Sequence, residues 1–198
     1  AYDGLGNRLQ ERSADRGVVT YSHDVAGNVT TMTDGRGATT RFAYDALNRL
    51  TVVSHQNLRQ VASASPTTYG YDQGMGGIGR LTSISDASGT LNLQRDLSGR
   101  VLQRAHIAPV TGTLLTTSYT YNAVGQLATM TYPTGHEVSY TWALGKISSL
   151  SINGQLVVSQ INRHPGGVVR SWTWGNGTPF GRDFDGDGNI VRQTLDTG

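Results

Sequence analysis

A short tyrosine–aspartate signature recurs along the chain, and this recurrence constrains the fold more than any other feature of the sequence. Its clearest copy is the run Tyr44-Asp45-Ala46-Leu47-Asn48-Arg49-Leu50. Asp3, Asp24 and Asp45 follow one another at intervals of 21 residues (24 − 3 and 45 − 24). A repeat of this period indicates an array in which one supersecondary unit is multiplied. At about 21 residues per unit, the 198 residues hold about nine units.

Within each copy, the aspartate and the glycine predict a tight turn. The carboxylate can accept backbone N–H groups of the turn, and glycine adopts a positive φ without steric cost. The pattern weakens over 155–198, where Trp174-Gly175-Asn176-Gly177 lacks the tyrosine–aspartate pair. The strand register of that region does not follow from the sequence. The residues expected in structural repeat roles are Tyr2, Asp3, Gly6, Asp24, Gly27, Tyr44, Asp45, Tyr71, Asp72, Gly79, Asp96, Gly99, Tyr121, Gly125, Trp142, Gly145, Asp185 and Gly188.

Each signature is flanked by alternation that is typical of β-strands. Aromatic residues recur at every second position before it, as in Phe42-Ala43-Tyr44, which places both rings on one face of a strand. After it, apolar residues occupy the first and fourth positions of a returning strand, as at Leu50 and Val53. These two positions face opposite sides of a regular strand. Either the strand is buried on both faces, or a bulge realigns it.

The composition agrees with short strands and tight turns. The chain has 26 glycines and 15% charged residues, and glutamate and lysine, which favour exposed helices, are nearly absent. We therefore expect an all-β fold in which tandem β-hairpin repeats form one long, curved antiparallel sheet. This single array is expected to cover residues 1–198 without a separate catalytic domain.

Charge and cysteine content argue against several classes of protein. Sixteen basic and fourteen acidic residues are spread evenly along the chain, whereas a nucleic-acid-binding protein clusters its basic residues. The absence of cysteine excludes a disulfide scaffold and a thiolate metal site. No apolar stretch approaches the ~20 residues of a membrane helix. Because the chain opens and closes inside a repeat, we expect it to be a segment of a larger protein.

The Tyr-Asp-x-x-Gly-Arg-Leu signature and its returning turn resemble the YD-repeat, or Rhs-repeat, family of bacterial polymorphic toxins, Tc toxins and teneurins. The resemblance covers nearly the whole chain and is clearest over 1–150. It implies a β-sheet that spirals into a hollow shell, which commonly encloses a toxic C-terminal domain. The implied partners are the remainder of a larger chain and its toxin cargo, and the implied localisation is secretion or cell-surface delivery by a bacterium.

Two functions are therefore compared. The first is a non-catalytic segment of a shell wall, without a cofactor, whose open sheet edges favour self-association. The alternative is a cell-surface or glycan-binding module, because flat aromatic rows can stack on sugar rings. The same rings can instead pack against one another across strands. The rows consist of Tyr119, Tyr121, Tyr140, Trp142, Trp172 and Trp174.

One short segment matches the opening of a calcium-binding loop. Asp183, Asp185 and Asp187 stand at its first, third and fifth positions, followed by Gly188, and calcium prefers such hard oxygen ligands. However, the twelfth position is Thr194 rather than glutamate. A structural turn is the preferred interpretation, because Asp185 and Gly188 already belong to a repeat copy. Calcium is the one metal ion that the sequence suggests.

Overall fold

The structure, a computed structural model, describes residues 1–56 and 65–195. Regular structure in these residues consists of β-strands joined by turns, which confirms the predicted all-β fold of antiparallel hairpins. The described residues contain no helix that is long and apolar enough to cross a membrane. The chain divides into two compact units, Ala1–Leu115 and Thr116–Gly198. That both units belong to one array stays a prediction.

The first unit begins with an isolated bridge between Tyr2 and Arg8. It continues as a meander in which each strand pairs antiparallel with the strand that follows it. Its strands are β1 (Gln10–Ser13), β2 (Gly17–His23), β3 (Val29–Thr33), β4 (Thr39–Tyr44), β5 (Leu50–Gln56), β6 (Thr67–Tyr71), β7 (Leu81–Asp86), β8 (Gly89–Arg95) and β9 (Val101–Ile107).

The second unit has the same organisation, again with antiparallel pairing between consecutive strands. The divergent region after residue 155 also keeps this pairing, with irregular register on both sides of β14. Its strands are most of β10 (Leu114–Tyr121), then β11 (Leu127–Thr131), β12 (Glu137–Ala143), β13 (Lys146–Ile152), β14 (Gln155–Arg163), β15 (Val169–Trp174), β16 (Pro179–Phe184) and β17 (Ile190–Leu195).

A β-bulge in the returning strand resolves the question of strand register. Opposite Ala43 lies Val52, whereas the next residue, Tyr44, lies opposite Leu50, so that Thr51 has no counterpart in the pairing. The extra residue brings the first and fourth apolar positions onto one face. As a result, Leu50 and Val53 both lie opposite aromatic residues of β4. The bulge therefore creates one apolar face from a spacing that a regular strand would split between two.

The same bulge recurs at the other signatures. In each case the register shifts between the two residues that precede the turn, so the bulge belongs to the repeat and not to one hairpin. The shifts lie at Ser22/His23, Ala43/Tyr44, Gly70/Tyr71, Gln94/Arg95, Thr120/Tyr121, Thr141/Trp142 and Asp183/Phe184.

The two faces of each sheet differ in chemistry. The aromatic face carries cross-strand pairs such as Tyr69 with Ile84 and Tyr119 with Met130. The opposite face is rich in serine and threonine, whose hydroxyls bond across strands, as between Thr120 and Thr129 at 2.8 Å. Buried hydrophobic side chains are few: in the described residues they are Val19 and Val138. Stability must therefore come mainly from the ladders, the turns and half-buried cross-strand pairs.

Candidate functional site

The repeat turn is built around one aspartate. At Asp45, the backbone N–H donates to the Arg49 carbonyl at 3.0 Å, and the Asn48 N–H donates back to the Asp45 carbonyl at 3.0 Å. The carboxylate oxygen Oδ1 accepts from the backbone N–H groups of Leu47 and Arg49 at 2.9 and 3.0 Å. Asn48 holds the glycine position with φ +59°. The carboxylate thus satisfies backbone donors that the turn leaves unpaired.

The residue after the glycine closes the turn from the other side. Its side chain donates to the second carboxylate oxygen, Oδ2, of the turn aspartate. We call it the closing residue, and the prediction from sequence missed this role although the residue types, asparagine and arginine, recur at that position. The bonds are Asn7 to Asp3 at 2.9 Å, Asn28 to Asp24 at 3.0 Å, Arg49 to Asp45 at 2.7 Å, Arg100 to Asp96 at 2.6 Å and Asn189 to Asp185 at 3.1 Å.

These hydrogen bonds lower the pKa of the turn carboxyls because they favour the charged form. For Asp3, the largest contribution to the lowered pKa is the side-chain bond from Asn7. For Asp45 and Asp185, the largest contribution is the backbone N–H of the closing residue. The carboxylates are therefore held in the ionised form that the turn requires.

The signature glycines take the backbone conformation that the sequence predicts for them. All have φ in the left-handed region, where a side chain is strained. The φ values are +85° for Gly6 and Gly27, +75° for Gly79, +84° for Gly99, +83° for Gly125 and Gly188, and +76° for Gly145.

Three turns keep this shape without a carboxylate or an amide side chain at the aspartate position. At His164, the backbone N–H donates to the Val168 carbonyl at 2.8 Å and the Gly167 N–H donates to the His164 carbonyl at 2.7 Å. The same pair of bonds forms in the turns that begin at Tyr132 and Trp174. Each of these turns also has a glycine of positive φ at the same position. Glycine and the backbone bonds are thus sufficient for the shape of the turn.

Two copies differ in length and still form a turn. At Asp72, six residues, 73–78, stand between the aspartate and Gly79 in place of the usual two, yet the Gly79 N–H donates to Asp72 Oδ1 at 2.6 Å. The copy at Trp142 is shorter, with Leu144 and Gly145 at φ +50° and +76°. These two values describe a two-residue hairpin turn in which both residues have positive φ. Length variation is therefore confined to the turns.

The aromatic residue before the turn tethers each repeat to the preceding one. Tyr44 Oη donates to the Val29 carbonyl at 3.0 Å, and Tyr71 Oη donates to the Leu50 carbonyl at 2.8 Å. Trp142 makes the corresponding bond through Nε1. In each case the acceptor is the first residue of the previous returning strand. Partial burial, and then the nearby Asp24 carboxylate, raise the pKa of Tyr44, which keeps its hydroxyl protonated as a donor.

Arginine replaces the aromatic tether in two repeats. Arg95 Nη2 donates to the Leu81 carbonyl at 3.3 Å, and Arg163 Nη2 donates to the Ile147 carbonyl at 3.4 Å. The acceptors are again at the start of returning strands: Leu81 is the first residue of β7 and Ile147 the second residue of β13. The tether thus requires a long donor at this position rather than a tyrosine in particular. His23 occupies the same position, and its buried Nδ1 has no partner in the described residues.

A second missed feature is the hydroxyl at the bulge. The extra residue of the returning strand is often threonine or serine, and its hydroxyl donates to a carbonyl of the facing strand. This satisfies an acceptor where the ladder is disrupted. A threonine or serine directly after the first apolar residue is the sequence signal for it. The bonds are Thr30 to Ser22 at 3.2 Å, Thr51 to Ala43 at 3.1 Å, Thr82 to Gly70 at 3.1 Å and Ser148 to Thr141 at 3.2 Å.

Neighbouring turns of the first unit also bond to each other. Arg49 spans its own Asp45 and the aspartate of the next repeat, Asp72, with nitrogen–oxygen distances of 2.7 and 2.6 Å. Its guanidinium carbon lies 4.4 Å from the centre of the Tyr71 ring. One turn earlier, Asn28 donates to Asn48 at 2.8 Å. The closing residues therefore link consecutive repeats along one edge of the sheet.

This combination of turn, bulge and tether agrees with the comparison to known families. The model of the RHS repeat family matches residues 2–39 and 26–56. Residues 2–56 of this chain therefore carry RHS repeats. No curated protein matches the sequence.

Similarity to solved structures extends along nearly the whole chain. It resembles TcdB2-TccC3-Cdc42 (TM-score 0.83), TcdB2-TccC3 without the hypervariable C-terminal region (0.82) and the Photorhabdus luminescens Tc holotoxin pore (0.81). Each match covers 96% of this chain at 16% identity. The chain spans 10–11% of the length of those chains. At this identity the likeness concerns the fold.

The three aspartates of the suggested calcium loop have separate surroundings. Asp185 uses Oδ1 for the backbone N–H groups of Asp187 and Asn189, and Oδ2 for the Asn189 side chain. Asp183 lies in β16, opposite Arg192. The described residues contain no group of three acidic, histidine or cysteine side chains arranged to hold a metal ion. Calcium binding stays a prediction, while the observed bonds of Asp185 are those of the turn at Asp45.

The aromatic rows of the second unit are largely engaged in contacts within the sheet. Trp172 stacks on Phe180 with ring centres 4.1 Å apart, and Trp174 meets Trp172 edge to face at 5.5 Å. Trp174 is 37% exposed, and Tyr140 and Trp142 are half-buried. Burial raises the pKa of Tyr140, as do the neighbouring Tyr132 and Tyr119. Most of these rings thus have one face covered by neighbours.

Proposed function

We propose that this chain forms part of a β-shell wall that encloses a toxin or effector domain. In this role it is non-catalytic, and its partners are the rest of a larger RHS-repeat chain and the enclosed domain. The proposal includes secretion or delivery to a cell surface. Containment requires a continuous sheet without large openings. Contacts that join each repeat to the next one favour such a sheet.

The inter-repeat tether is the observation that carries the proposal. Tyr44, Tyr71 and Trp142 each join one repeat to the previous one by a bond that is 2.7–3.0 Å long. A repeat that is tethered in this way can be added to the next without a new core. Stability then accumulates by nearest-neighbour contacts, which is how repeat arrays extend. A sheet with so few buried side chains is better suited to a wall than to a catalytic pocket.

The comparisons support the same proposal. The matched structures are TcdB2-TccC3 assemblies and a Tc holotoxin pore, in which this fold occupies about a tenth of a much longer chain. The glycan-binding alternative needs aromatic faces that are open to solvent. Contacts such as Trp172 on Phe180 use those faces within the sheet, which favours the wall.

Protease protection tests the wall directly. The chain that carries this segment would be treated with protease, with its effector domain either in place or expressed alone. We expect the domain to be cleaved slowly in place and rapidly alone. The double variant Tyr44→Phe/Tyr71→Phe removes two tethers without changing ring packing, and should raise the cleavage rate. Tyr69→Phe is the matched control, because this tyrosine lies on the same face two residues before the tether residue Tyr71.

The outcomes separate the two functions. Equal cleavage of the domain in both contexts would reject containment. Binding of the intact chain to a glycan array, lost on Trp174→Ala with the fold retained, would support the alternative.

A further inference from the structure

One part of the second unit keeps the cation of the repeat turn but lacks the carboxylates that surround it in the first unit. In the first unit, the closing residue Arg49 lies between two carboxylates, those of Asp45 and Asp72. Lys146 follows Gly145 as Arg49 follows Asn48, and is thus the corresponding cation. The positions of its two carboxylate partners are occupied by Ala143 and His164. Lys146 therefore lacks both of the anions that neutralise Arg49.

A second cation lies beside Lys146. Arg163 takes the place of the signature tyrosine, and donates to the carbonyls of Gly167 and Ile147, both at 3.4 Å. These distances exceed the 2.7–3.2 Å that is usual for N–H···O bonds. Its buried Nε has no hydrogen-bond partner in the described residues. Arginine has five N–H donors, so much of the bonding capacity of Arg163 is unused.

Both cations converge on the same turn. Arg163 Nη1 donates to the Gly167 carbonyl, and the Lys146 Nζ lies 3.8 Å from the point where a Cβ on Gly167 would stand. The ends of the two side chains are therefore close to one backbone position, although like charges repel. An anion between them would remove this repulsion.

A cleft of about 400 Å³ adjoins the two cations. Leu144, Ile147, Ile161 and Pro165 give it an apolar wall. None of the described residues that line it is acidic. Asp183 lines a separate, smaller depression together with Arg170 and His164.

We propose that this cleft binds an oxyanion, a carboxylate or a phosphate, that is attached to an apolar body. The anion would lie between Lys146 and Arg163, where it would replace the carboxylates that surround Arg49 in the first unit. Arginine pairs with such planar or tetrahedral oxyanions through parallel N–H···O bonds. The apolar body would contact the Ile147 and Ile161 side of the cleft. The proposal is independent of the wall function.

The test is a titration of the 198-residue chain with benzoate and with phenyl phosphate, followed by the amide NMR signals of Gly167 and Ile147. We expect saturable shifts of these signals with either ligand, and no shift with benzamide, which has the same ring without the charge. Inorganic phosphate alone distinguishes the contribution of the anion from that of the apolar body. It should bind at the same signals but more weakly.

Two variants locate the binding. Arg163→Tyr removes the charge while restoring the aromatic tether of Tyr44 and Tyr71, and should weaken binding about tenfold or more, as expected for loss of a charged hydrogen-bonding partner. Lys146→Gln changes an exposed side chain and should have a similar effect. Arg95→Tyr is the matched control, because Arg95 makes the same tether but does not line this cleft.

The result can overturn the proposal in two ways. Unchanged affinity of Lys146→Gln and Arg163→Tyr would place the anion elsewhere. An equal loss of affinity in Arg95→Tyr would show general attraction to arginine rather than a site.

Discussion

The turn at Asp45 and the turn at His164 have the same backbone shape but are held by different chemistry. Both contain the same pair of backbone hydrogen bonds, with lengths of 2.7–3.0 Å. At Asp45, a carboxylate adds two further bonds to backbone N–H groups and one to Arg49. At His164, no carboxylate is present, and the tether before it is an arginine rather than a tyrosine. The fold therefore tolerates the loss of the signature aspartate.

This difference separates two roles that the signature combines. The positive φ of the glycine position sets the path of the chain, since it occurs in both kinds of turn. The aspartate satisfies backbone donors and links to the closing residue. In the first unit this link extends to the next repeat through Arg49 and Asp72. Removal of the acid thus leaves the hairpin intact and frees cations for other contacts.

Low pH should destabilise the first unit more than the second, and this is the largest expected effect. Hydrogen bonds lower the folded-state pKa of several aspartates below the ordinary value of 3.8. Their contribution is fully present above pH 3.8 and is lost as the pH falls through the lowered values. Amide hydrogen exchange at pH 5 and below 3.5 should show earlier loss of protection in the first unit. The lowered groups are Asp3, Asp24, Asp34, Asp45, Asp72, Asp86 and Asp96 in the first unit and Asp185 in the second.

Equal acid sensitivity of the two units would contradict this explanation. Asp45→Asn is the control. It should reduce the acid-dependent loss of hydrogen-exchange protection, and only in the first unit.

Glycine replacement should destabilise both kinds of turn equally. Gly6 and Gly177 have φ +85° and +88°, and a Cβ on either would meet no atom within 4 Å. Gly6→Ala and Gly177→Ala should therefore each cost roughly 1–2 kcal/mol, which is the strain of a left-handed residue. Urea unfolding provides the measurement. Asparagine at either position should cost less, because Asn48 occupies the equivalent place, and a loss confined to Gly6 would show that the two turns differ in backbone requirement.

Removing the aspartate from one turn and introducing one into the other should shift the urea midpoint in opposite directions. Both shifts should be smaller than those of the glycine variants. Asp45→Ala removes three accepted hydrogen bonds and should lower the urea midpoint by less than the glycine variants do. His164→Asp adds a carboxylate below the N–H groups of Gly166 and Val168 and should raise the midpoint. The same variant should weaken oxyanion binding near Lys146. A decrease of the midpoint with His164→Asp would mean that the histidine has a packing role that the turn geometry does not reveal.

The smallest expected change is a gain in stability on substitution of Leu144. This residue has φ +50° and is fully exposed, so no burial of its side chain offsets the strain of its backbone. The following hairpin has Asn153 at the same φ of +50°. Leu144→Asn should therefore stabilise the protein by about 0.5–1 kcal/mol. Asn153→Leu is the reciprocal change and should destabilise the protein by more, because the Asn153 side chain also bonds to the Glu137 N–H and to His136, both at 2.8 Å.

Much of the fold follows from patterns within a few residues. The 21-residue interval, the alternation around Tyr44 and the Asp-x-x-Gly turn predict tandem hairpins because each depends on local backbone geometry. The closing residue was also available to this reasoning, since Asn7, Asn28 and Arg49 recur at one position. The sequence pattern did not decide between a bulge and a strand that is buried on both faces. The threonine after the first apolar residue, as in Leu50-Thr51, was the signal that could have chosen between them.

The contacts between repeats required the tertiary structure. Tyr44 bonds to a carbonyl 15 residues earlier, and Tyr71 to one 21 residues earlier, and no local pattern specifies a main-chain acceptor at that distance. Likewise, the proximity of Lys146 to Arg163 depends on how one hairpin lies on the next. Hairpins, turns and their period are determined locally by residue type, whereas tethers and the cationic cleft arise from the register between strands, which is set by packing across the whole sheet.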